Sequence, residues 1–242
     1  MPRGHIHPIS SLIREVNDIF FRMGFTFEEG PLVETEWYNF DALNVPRDHP
    51  ARDMQDTFHM KDEPEMVLRT HTTGVHAHYI KEQLAKNIQP PYRAVAMGKV
   101  FRNEATDVTH EAEFAQVDGF VIDTNASLAQ LRGTLTTFYS KIMHGNAEIR
   151  FRPSFFPFTE PSVEIDMRVT GDAVPEKLRD RWIEMMGAGM LHPSVLSHYG
   201  IDPSKYKGWA FGGGLDRIAL LRWGIDDIRL MHSADLRFVN QF

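Results

Sequence analysis

Hydrophobic positions along the chain switch between helical and strand-like spacing, and these switches predict the order of the elements. Between Pro8 and Met23 apolar residues recur at steps of three and four, the period of one helical face. Pro8 stands where a helix can begin and Gly24 where it can end. Ser127, a residue type that caps helix starts, precedes a second such pattern. The predicted helices are residues 8–23, 73–87, 128–142 and 215–223.

Strand-like segments occupy much of the remaining sequence. Two long ones, Ala94–Glu104 and Glu113–Asp123, are joined by a polar turn and read as a pair. Regular alternation of single strands and helices is absent, so the pattern favours an α+β fold with a mainly antiparallel sheet flanked by helices. Residues 37–57 are polar and irregular, and a loop of that length is typically functional. Shorter strands are predicted near residues 25–29, 67–70, 148–152, 162–170 and 181–185.

Composition narrows the classes of function. The chain has 242 residues, of which 42% are hydrophobic, and suits one large globular domain or two small ones. It has no cysteine, which excludes disulfides, cysteine–zinc sites and thiol nucleophiles. A formal net charge of −7 argues against a surface that binds nucleic acid mainly by neutralising phosphates. The sequence shows neither a signal peptide nor a run of about 18 apolar residues, so we expect no membrane contact and a cytoplasmic location.

The pair of long strands carries an unusual mixture of side chains on one face. Alternate residues share a face of a strand, which groups Arg102 with Glu104, and Phe114 with Gln116 and Asp118. An exposed polar face would explain such a mixture. The alternative is a ligand site, because arginine pairs with phosphate, an aromatic ring stacks on a base, and a carboxylate pairs with an ammonium group. Small and apolar residues on the opposite face, which read as buried, favour the ligand site.

A run of glycines before the last helix is a second candidate. Gly212–Gly214 would let a ligand approach the backbone, and Arg217 lies one turn into the helix that follows. The run lacks the Lys-Ser/Thr ending of a phosphate-binding Walker loop and the βαβ context of a dinucleotide fingerprint. Alone, it is weak evidence.

Two further segments hold candidate site residues. Phe156 and Phe158 flank a proline with Glu160 two residues later, which indicates either core aromatics under a rigid turn or an aromatic-walled pocket with an acid at its mouth. In RTHTTGVHAH, His76 and His78 do not share a helix face, so the histidines do not read as a zinc site. We expect His71 to be a hydrogen-bonding pocket residue.

These motifs, in this order, resemble one family. Gly30-Pro31 after an amphipathic helix, FRNE at Phe101–Glu104 and GGGLDR at Gly212–Arg217 resemble the three signature motifs of class II aminoacyl-tRNA synthetases. The segments GHIHPI, NFDALNVPRDHPAR, RTHT, THEAEF, FFPFTEPS, GAGMLHP and DLRFVNQF are similar to the α-chain of bacterial phenylalanyl-tRNA synthetase. The resemblance implies a class II-type antiparallel sheet flanked by helices, forming a single catalytic domain over residues 1–242.

The resemblance implies an ATP site with ATP as substrate. In such a site Arg102 would bind the α-phosphate, and Glu104 would lie near the adenine amine. Phe114 would stack under the adenine, while Arg217 would cover its other face and reach the γ-phosphate. His110, in the turn between the strands, would touch a phosphate or the adenylate. Arg102 and Arg217 are thereby implied as the catalytic residues.

An amino-acid pocket is implied next to the ATP site. Phe156 and Phe158 would pack against the ring of the substrate in offset or edge-to-face geometry. Ala210 and Gly212 would form the floor, where small residues leave room for that ring. The residues implied to surround the amino and carboxyl groups are His71, Thr73, Gln116 and Asp118.

The implied reaction is activation of phenylalanine to phenylalanyl-adenylate, followed by transfer to the phenylalanine tRNA. Glu160 and Glu184 are the implied ligands of Mg²⁺. Family members assemble with a β-chain as (αβ)₂, and the first helix with the Gly30-Pro31 strand resembles a dimer interface, so a homodimer is expected. Met1-Pro2-Arg3 runs straight into GHIHP, so we expect a catalytic core without the N-terminal coiled-coil arm of the family.

Three pocket positions depart from the family pattern. Asp118 replaces the usual glutamate, His76 replaces glutamine, and Gln55 stands where a larger ring is common. These changes would relax or shift the choice of amino acid. Two other functions therefore stay open: a related adenylating enzyme for another amino acid or acceptor, and a non-catalytic scaffold that keeps the fold. The presence of the ATP-site residues argues against the scaffold.

Overall fold

The structure is a computed structural model that describes residues 4–52, 56–103, 105–107, 111–170 and 181–242. Its helices are α1 (Pro8–Arg22), α2 (Glu36–Asn39), α3 (Gly74–Ala85), α4 (Leu128–Ile142), α5 (Pro193–His198), α6 (Leu215–Trp223) and α7 (Leu236–Val239). Its strands are β1 (Thr26–Glu28), β2 (Val33–Thr35), β3 (Met66–Leu68), β4 (Tyr92–Phe101), β5 (Glu113–Asp123), β6 (Ala147–Phe156), β7 (Thr159–Val169), β8 (Ile183–Leu191) and β9 (Lys207–Gly214).

One seven-stranded sheet organises the fold, with the strand order β1-β4-β5-β9-β8-β7-β6. Edge strand β1 runs parallel to β4, and the other neighbours are antiparallel. Strands β2 and β3 form a separate antiparallel pair. The predicted α+β class with a mainly antiparallel sheet is confirmed. None of the helices within the described ranges combines the length and the apolar character that a membrane span requires.

The two faces of the sheet carry different side chains. On one face the odd-numbered residues of β5, such as Val117 and Val121, join a large apolar core with α1, α4 and α6. On the other face Phe120 and Ile122 join a smaller core with α3 and α5. Alternation along β5 places Gln116 and Asp118 on this second face, beside the smaller core. The predicted burial of the first face is confirmed.

Local sequence signals explain how the main helices begin. His7 caps α1 by accepting a hydrogen bond from the Ile9 amide at Nδ1, and Pro8 is the first residue of the helix. Ser127 and Gln130 form a reciprocal capping box at the start of α4. Both signals satisfy amide groups that have no partner inside the helix. These two predicted helix starts are confirmed.

Three segments differ from their predicted form. Residues 37–57 include regular structure, because α2 and the 3₁₀ turns Asp41–Leu43 and Pro50–Arg52 lie within or overlap their described part. Gly212–Gly214, which had no strand assigned to it from the sequence, forms the end of β9 and pairs with β5 and β8. Strand β4 ends at Phe101, and the Arg102 amide donates to the carbonyl of Ala112 outside the regular ladder.

Candidate functional site

A cavity of about 1280 Å³ opens on the second face of the sheet, above β5, β9 and β8. Pockets for drug-sized ligands typically measure about 300 to 1,000 Å³, so this space is large enough for an amino acid and a nucleotide together. The residues of the predicted site that line it are His71, Thr73, Arg102, Phe114, Gln116, Asp118, Phe156, Phe158, Glu184, Ala210, Gly212 and Arg217. Segments far apart in the sequence therefore meet in one cavity.

Asp118 is a buried acid in the wall of this cavity. Its Oδ2 accepts hydrogen bonds from the amide and the hydroxyl group of Thr72, and the amide distance is 3.1 Å. Its Oδ1 accepts from Thr73 Oγ1 at 3.2 Å and from Gln116 Nε2 at 3.3 Å. Burial raises the pKa of Asp118 to about 6, although these donors and Arg102 act in the opposite direction. The carboxylate is thus largely ionised at neutral pH and held in one position.

His71 presents a hydrogen-bond acceptor to the same cavity. Its Nε2–H donates to the carbonyl of Asn39 at 2.9 Å. Burial, with the nearby charge of Arg102, lowers the pKa of His71 to about 4, so the ring is neutral at physiological pH. A neutral imidazole with a proton on Nε2 has a bare lone pair on Nδ1. Within the described part of the chain this buried Nδ1 has no hydrogen-bond partner.

Gln116 adds a second unpartnered acceptor. Its side-chain amide donates to Asp118, and its Oε1 is buried without a partner among the residues described. Gln116 and Asp118 are only 7% and 3% exposed, so this part of β5 is not the exposed polar face that the sequence also allowed. A carboxylate, an imidazole nitrogen and an amide oxygen therefore line one cavity. Three acceptors match the three N–H bonds of an ammonium group.

Glycines shape the floor of the cavity. Gly212 lies opposite Asp118 on β5 and opposite Gly187 on β8. A Cβ atom on Gly212 would lie 1.9 Å from Asp118 Oδ1, so the space above this glycine holds the carboxylate. The family resemblance implies that Gly212 makes room for a ring, whereas the space above it is filled by Asp118. Ala210, opposite Phe120 in β5, lines the cavity as expected.

Two aromatic rings form one wall. Phe156 and Phe158 stack with centroids 5.5 Å apart and an interplanar angle of 7°. A Cβ atom on Gly187 would come within 2.8 Å of the Phe156 ring, so the ring lies against the bare backbone of β8. The predicted aromatic-walled pocket thus exists on the site face. Such a wall suits a flat apolar group.

Two arginines line the other part of the cavity. The guanidinium carbon of Arg102 lies 5.1 Å from the centroid of the Phe114 ring, and Arg102 Nε donates to the carbonyl of Thr70 at 3.3 Å. Arg217 Nη1 donates to the carbonyl of Glu184 at 2.8 Å. Guanidinium groups bind phosphate oxygens with two parallel hydrogen bonds. This part of the cavity is therefore suited to a phosphorylated ligand.

Glu160 and Glu184, the pair of acids expected to hold a metal ion, are not brought together. Glu184 of β8 lies opposite Asp166 in the pairing of β8 with β7, whereas Glu160 lies at the other end of β7. Six residues of strand separate the two positions by roughly 20 Å. Glu184 lines the cavity, but Glu160 is not among its described lining residues. No group of three or more metal-ligating side chains occurs within the described ranges. Of the expected pair, Glu184 is the one that lines the cavity.

Asp166 is unavailable as a second acid beside Glu184. Its buried carboxylate accepts from Arg150 Nε at 2.8 Å and from Arg152 Nε at 2.6 Å. The hydrogen bond from Arg152 is the main cause of its lowered pKa. The carboxylate is therefore fully engaged within the sheet, whereas Glu184 lines the cavity.

Two supporting residues, Thr72 and Asp216, could not be found from the sequence pattern. The Thr72 amide donates a hydrogen bond to Asp118 Oδ2. Asp216, in the first turn of α6, accepts a hydrogen bond from the Ala115 amide at a distance of 2.6 Å. Both contacts join segments far apart in the chain, and no local pattern marks them. The centroid of the His76 ring, at a position that departs from the family pattern, lies 4.6 Å from that of the Phe120 ring. Burial lowers the pKa of His76 to about 3. It therefore supports the site from behind as a neutral ring.

Three predicted residues lie outside the described part of the chain. They are Gln55, Glu104 and His110.

Residues 1–242 match the family described as "tRNA synthetases class II core domain (F)". The chain is 47% identical to the "Phenylalanine--tRNA ligase alpha subunit" of Geobacillus thermodenitrificans, in an alignment that covers 99% of this chain and 69% of that protein.

Relatives from other bacteria agree. The protein of the same name from Bacillus subtilis is 46% identical over 99% of this chain and 69% of its own length. The one from Desulfatibacillum aliphaticivorans is 48% identical over 99% of this chain and 70% of its own length. The chain belongs to the class II tRNA synthetase core family and, within it, to the phenylalanine–tRNA ligase alpha subunits.

Proposed function

We propose that this chain is the catalytic subunit of a phenylalanine–tRNA ligase, which activates phenylalanine with ATP and transfers it to the phenylalanine tRNA. The observation that carries this proposal is the division of a single cavity into three chemically distinct parts. Buried acceptors around Asp118 suit an ammonium group, stacked phenylalanines suit an aromatic ring, and arginines suit phosphate. Phenylalanine and ATP together carry all three groups. The proposal treats residues 1–242 as one catalytic domain.

The amino acid is oriented by its charge and its ring. Its ammonium group would donate to Asp118, His71 Nδ1 and Gln116 Oε1, while Thr73 would stand beside the same group. Its ring would pack on the wall of Phe156 and Phe158, above Ala210. In this arrangement Gly212 acts indirectly, by leaving space for the Asp118 carboxylate.

ATP would occupy the part of the cavity lined by the arginines. Arg102 is assigned to the α-phosphate, and Arg217 to the γ-phosphate and one face of the adenine. Phe114 is assigned to the other face of the adenine. Glu104 near the adenine amine and His110 near the phosphates complete the assignment on the basis of family resemblance alone.

One magnesium ligand is proposed from this chain. Mg²⁺ is commonly held by one or two carboxylates together with substrate phosphates, and Glu184 on the cavity fits that pattern. When bound, the ion would neutralise charge on the phosphate oxygens. Glu160 is left out of this assignment, because it lies far along β7 from Glu184.

The chemistry needs position and charge more than a protein nucleophile. A carboxylate oxygen of phenylalanine attacks the α-phosphorus, the bond to the bridging oxygen breaks, and pyrophosphate leaves with that electron pair. In the second step a ribose hydroxyl of the tRNA terminus attacks the acyl carbonyl, and AMP leaves. Arg102 would stabilise the charge that develops at the α-phosphate in the first step.

Partners follow from the relatives and from the reaction. The relatives are named alpha subunits, so we propose a β-subunit partner in an (αβ)₂ assembly, with the phenylalanine tRNA as second substrate. Contact between two copies is assigned to α1 and to the segment that contains Gly30 and Pro31. The site of action proposed is the cytoplasm, where tRNA is charged for translation.

Amino-acid-dependent exchange between ATP and pyrophosphate tests the proposal. It is measured on this chain, alone and together with the β-subunit, across the twenty amino acids. We expect exchange with phenylalanine, and a loss of about 10²- to 10³-fold in Arg102→Ala, the scale of one preorganised electrostatic contact. Arg132→Ala, a change of an α4 arginine outside the cavity, is the matched control. Exchange that depends on another amino acid, or on none, contradicts the proposal.

A further inference from the structure

Asp216 is a buried carboxylate directly before Arg217. It is 1% exposed and lies in the first turn of α6. Its Oδ2 accepts the Ala115 amide at 2.6 Å, and its Oδ1 lies 2.8 Å from His232 Nε2. The carboxylate therefore connects three parts of the chain: the start of α6, strand β5 and the 3₁₀ turn Ile228–His232.

The contact with Ala115 replaces a missing strand residue. The pairing of β5 with β9 begins at Gln116 opposite Gly214, which is the last residue of β9. Beyond that pair β9 has turned into α6, so the Ala115 amide has no β9 carbonyl to bind. Asp216 supplies the acceptor instead. It thereby fixes the stretch of β5 in which Phe114 and Gln116 flank Ala115.

His232 is the second partner of this carboxylate. Its side chain is 23% exposed, while that of Asp216 is 2% exposed. A buried carboxylate is stable only when its oxygens are hydrogen-bonded and its charge is compensated. Asp216 also places a negative charge one residue from Arg217, the residue assigned to phosphate. A cationic His232 offsets that charge on the side away from the cavity.

We propose that His232 is a positioning residue for ATP, acting through Asp216 on both Arg217 and the segment of β5 that contains Phe114. This inference rests on the proposed function, since it takes ATP as the ligand of the arginine-lined part of the cavity. His232 touches neither substrate in this role. It sets the position of Arg217 and Phe114, the residues proposed to contact ATP, and the net charge beside Arg217.

The charges around His232 make this effect depend on pH. The hydrogen bond to Asp216 raises the pKa of His232, and Glu111 and Glu113 act in the same direction. Because the pKa is raised in the folded protein, the cation persists above the usual histidine range and is lost as the pH rises through the folded value. A neutral His232 can still donate from Nε2 to Asp216, but it no longer offsets the charge.

Two variants separate the hydrogen bond from the charge. His232→Gln keeps a donor and cannot titrate, whereas His232→Leu loses both. We expect the KM for ATP in His232→Leu to rise about threefold to tenfold at every pH, more than the KM for phenylalanine. In His232→Gln no side chain titrates at this position, so the KM for ATP should lack the pH dependence that His232 causes in the wild type. The two KM values should agree only at high pH, where His232 of the wild type is neutral. His198→Gln, at an exposed position of α5, is the matched control.

The measurement uses the whole chain together with its β-subunit. Exchange kinetics give the two KM values between pH 6 and 9, and calorimetric titration with ATP gives binding without any turnover. The inference is overturned if His232→Gln and the wild type share one ATP profile at all pH values, or if His232→Leu weakens both substrates equally. A wild type that binds ATP but catalyses no exchange contradicts the proposed function, while the ATP titrations still test His232.

Discussion

Asp118 and Gly212 lie opposite each other on the neighbouring strands β5 and β9. The carboxylate of Asp118 fits above Gly212 only because Gly212 has no side chain. A Cβ atom on Gly212 would lie 1.9 Å from Asp118 Oδ1 and 3.0 Å from its Cγ. No rotation of a methyl group relieves an overlap of that size. The glycine is therefore a requirement of the acid that is proposed to hold the ammonium group.

Gly212→Ala should displace Asp118 and weaken the binding of phenylalanine. We expect the KM for phenylalanine to rise at least about tenfold, the effect of a loss of about 1.4 kcal/mol, with a smaller change in the KM for ATP. Exchange kinetics with each substrate varied in turn measure both values. Gly133→Ala, in α4 where a Cβ would meet nothing within 4 Å, is the control and should leave both values unchanged. Equal KM values in the wild type and Gly212→Ala would refute this role of the glycine.

The binding of phenylalanine should weaken as the medium becomes acidic. Asp118 must be ionised to attract the ammonium group, and its pKa is raised to about 6 by burial. As the pH falls through that value the carboxyl group gains a proton and the attraction is lost. We expect kcat/KM for phenylalanine to decline below about pH 6. This decline, the acid limb of the pH profile, should vanish in Asp118→Asn, whose activity is lower at every pH. An unchanged acid limb in that variant would assign the titration to another group.

Thr72 should set the position of that acid limb. Its hydroxyl and amide both donate to Asp118 Oδ2, and these hydrogen bonds lower the pKa of the carboxyl group against the effect of burial. Thr72→Val removes the hydroxyl and preserves the volume of the side chain. We expect the acid limb for phenylalanine to move to higher pH by about one pH unit. Thr137→Val, at an exposed position of α4, is the control. If the pH at which kcat/KM declines does not change in Thr72→Val, this assignment is contradicted.

The two glutamates once expected to share a metal ion should behave differently. Glu184 lines the cavity, whereas Glu160 lies at the far end of β7. We expect Glu184→Gln to require about tenfold more Mg²⁺ for half-maximal exchange, because one charged ligand is lost. Glu160→Gln should leave the Mg²⁺ requirement unchanged. Titration of Mg²⁺ at fixed ATP compares the variants, and a larger effect in Glu160→Gln would reverse the assignment.

The alternation along β5 predicts which of its residues share the cavity face. Gln116 and Asp118 face the cavity, and Val117 faces the core, as a period of two requires. The helices α1 and α4 were equally predictable, because their apolar spacing and their caps agree. Local pattern therefore identifies an element and its faces.

Contacts between segments that are distant in the sequence could not be predicted from local patterns. Asp216 reaches Ala115 across 101 residues, and Thr72 reaches Asp118 across 46, with nothing in either local sequence to pair them. The distance between Glu160 and Glu184 was hidden from the sequence for the same reason. Their separation depends on the register of β7 against β8, which includes shifts that the sequence does not reveal.

Equilibrium binding of a non-hydrolysable phenylalanyl-adenylate analogue tests the central claim most directly. It is compared by calorimetry with the same molecule lacking the α-amino group, so that only the ammonium contact changes. If one cavity holds the ring, the ammonium group and the nucleotide as described, the compound without the amino group should bind about 100-fold more weakly. Equal affinities would show that the acceptors around Asp118 do not receive the ammonium group, and would contradict the account.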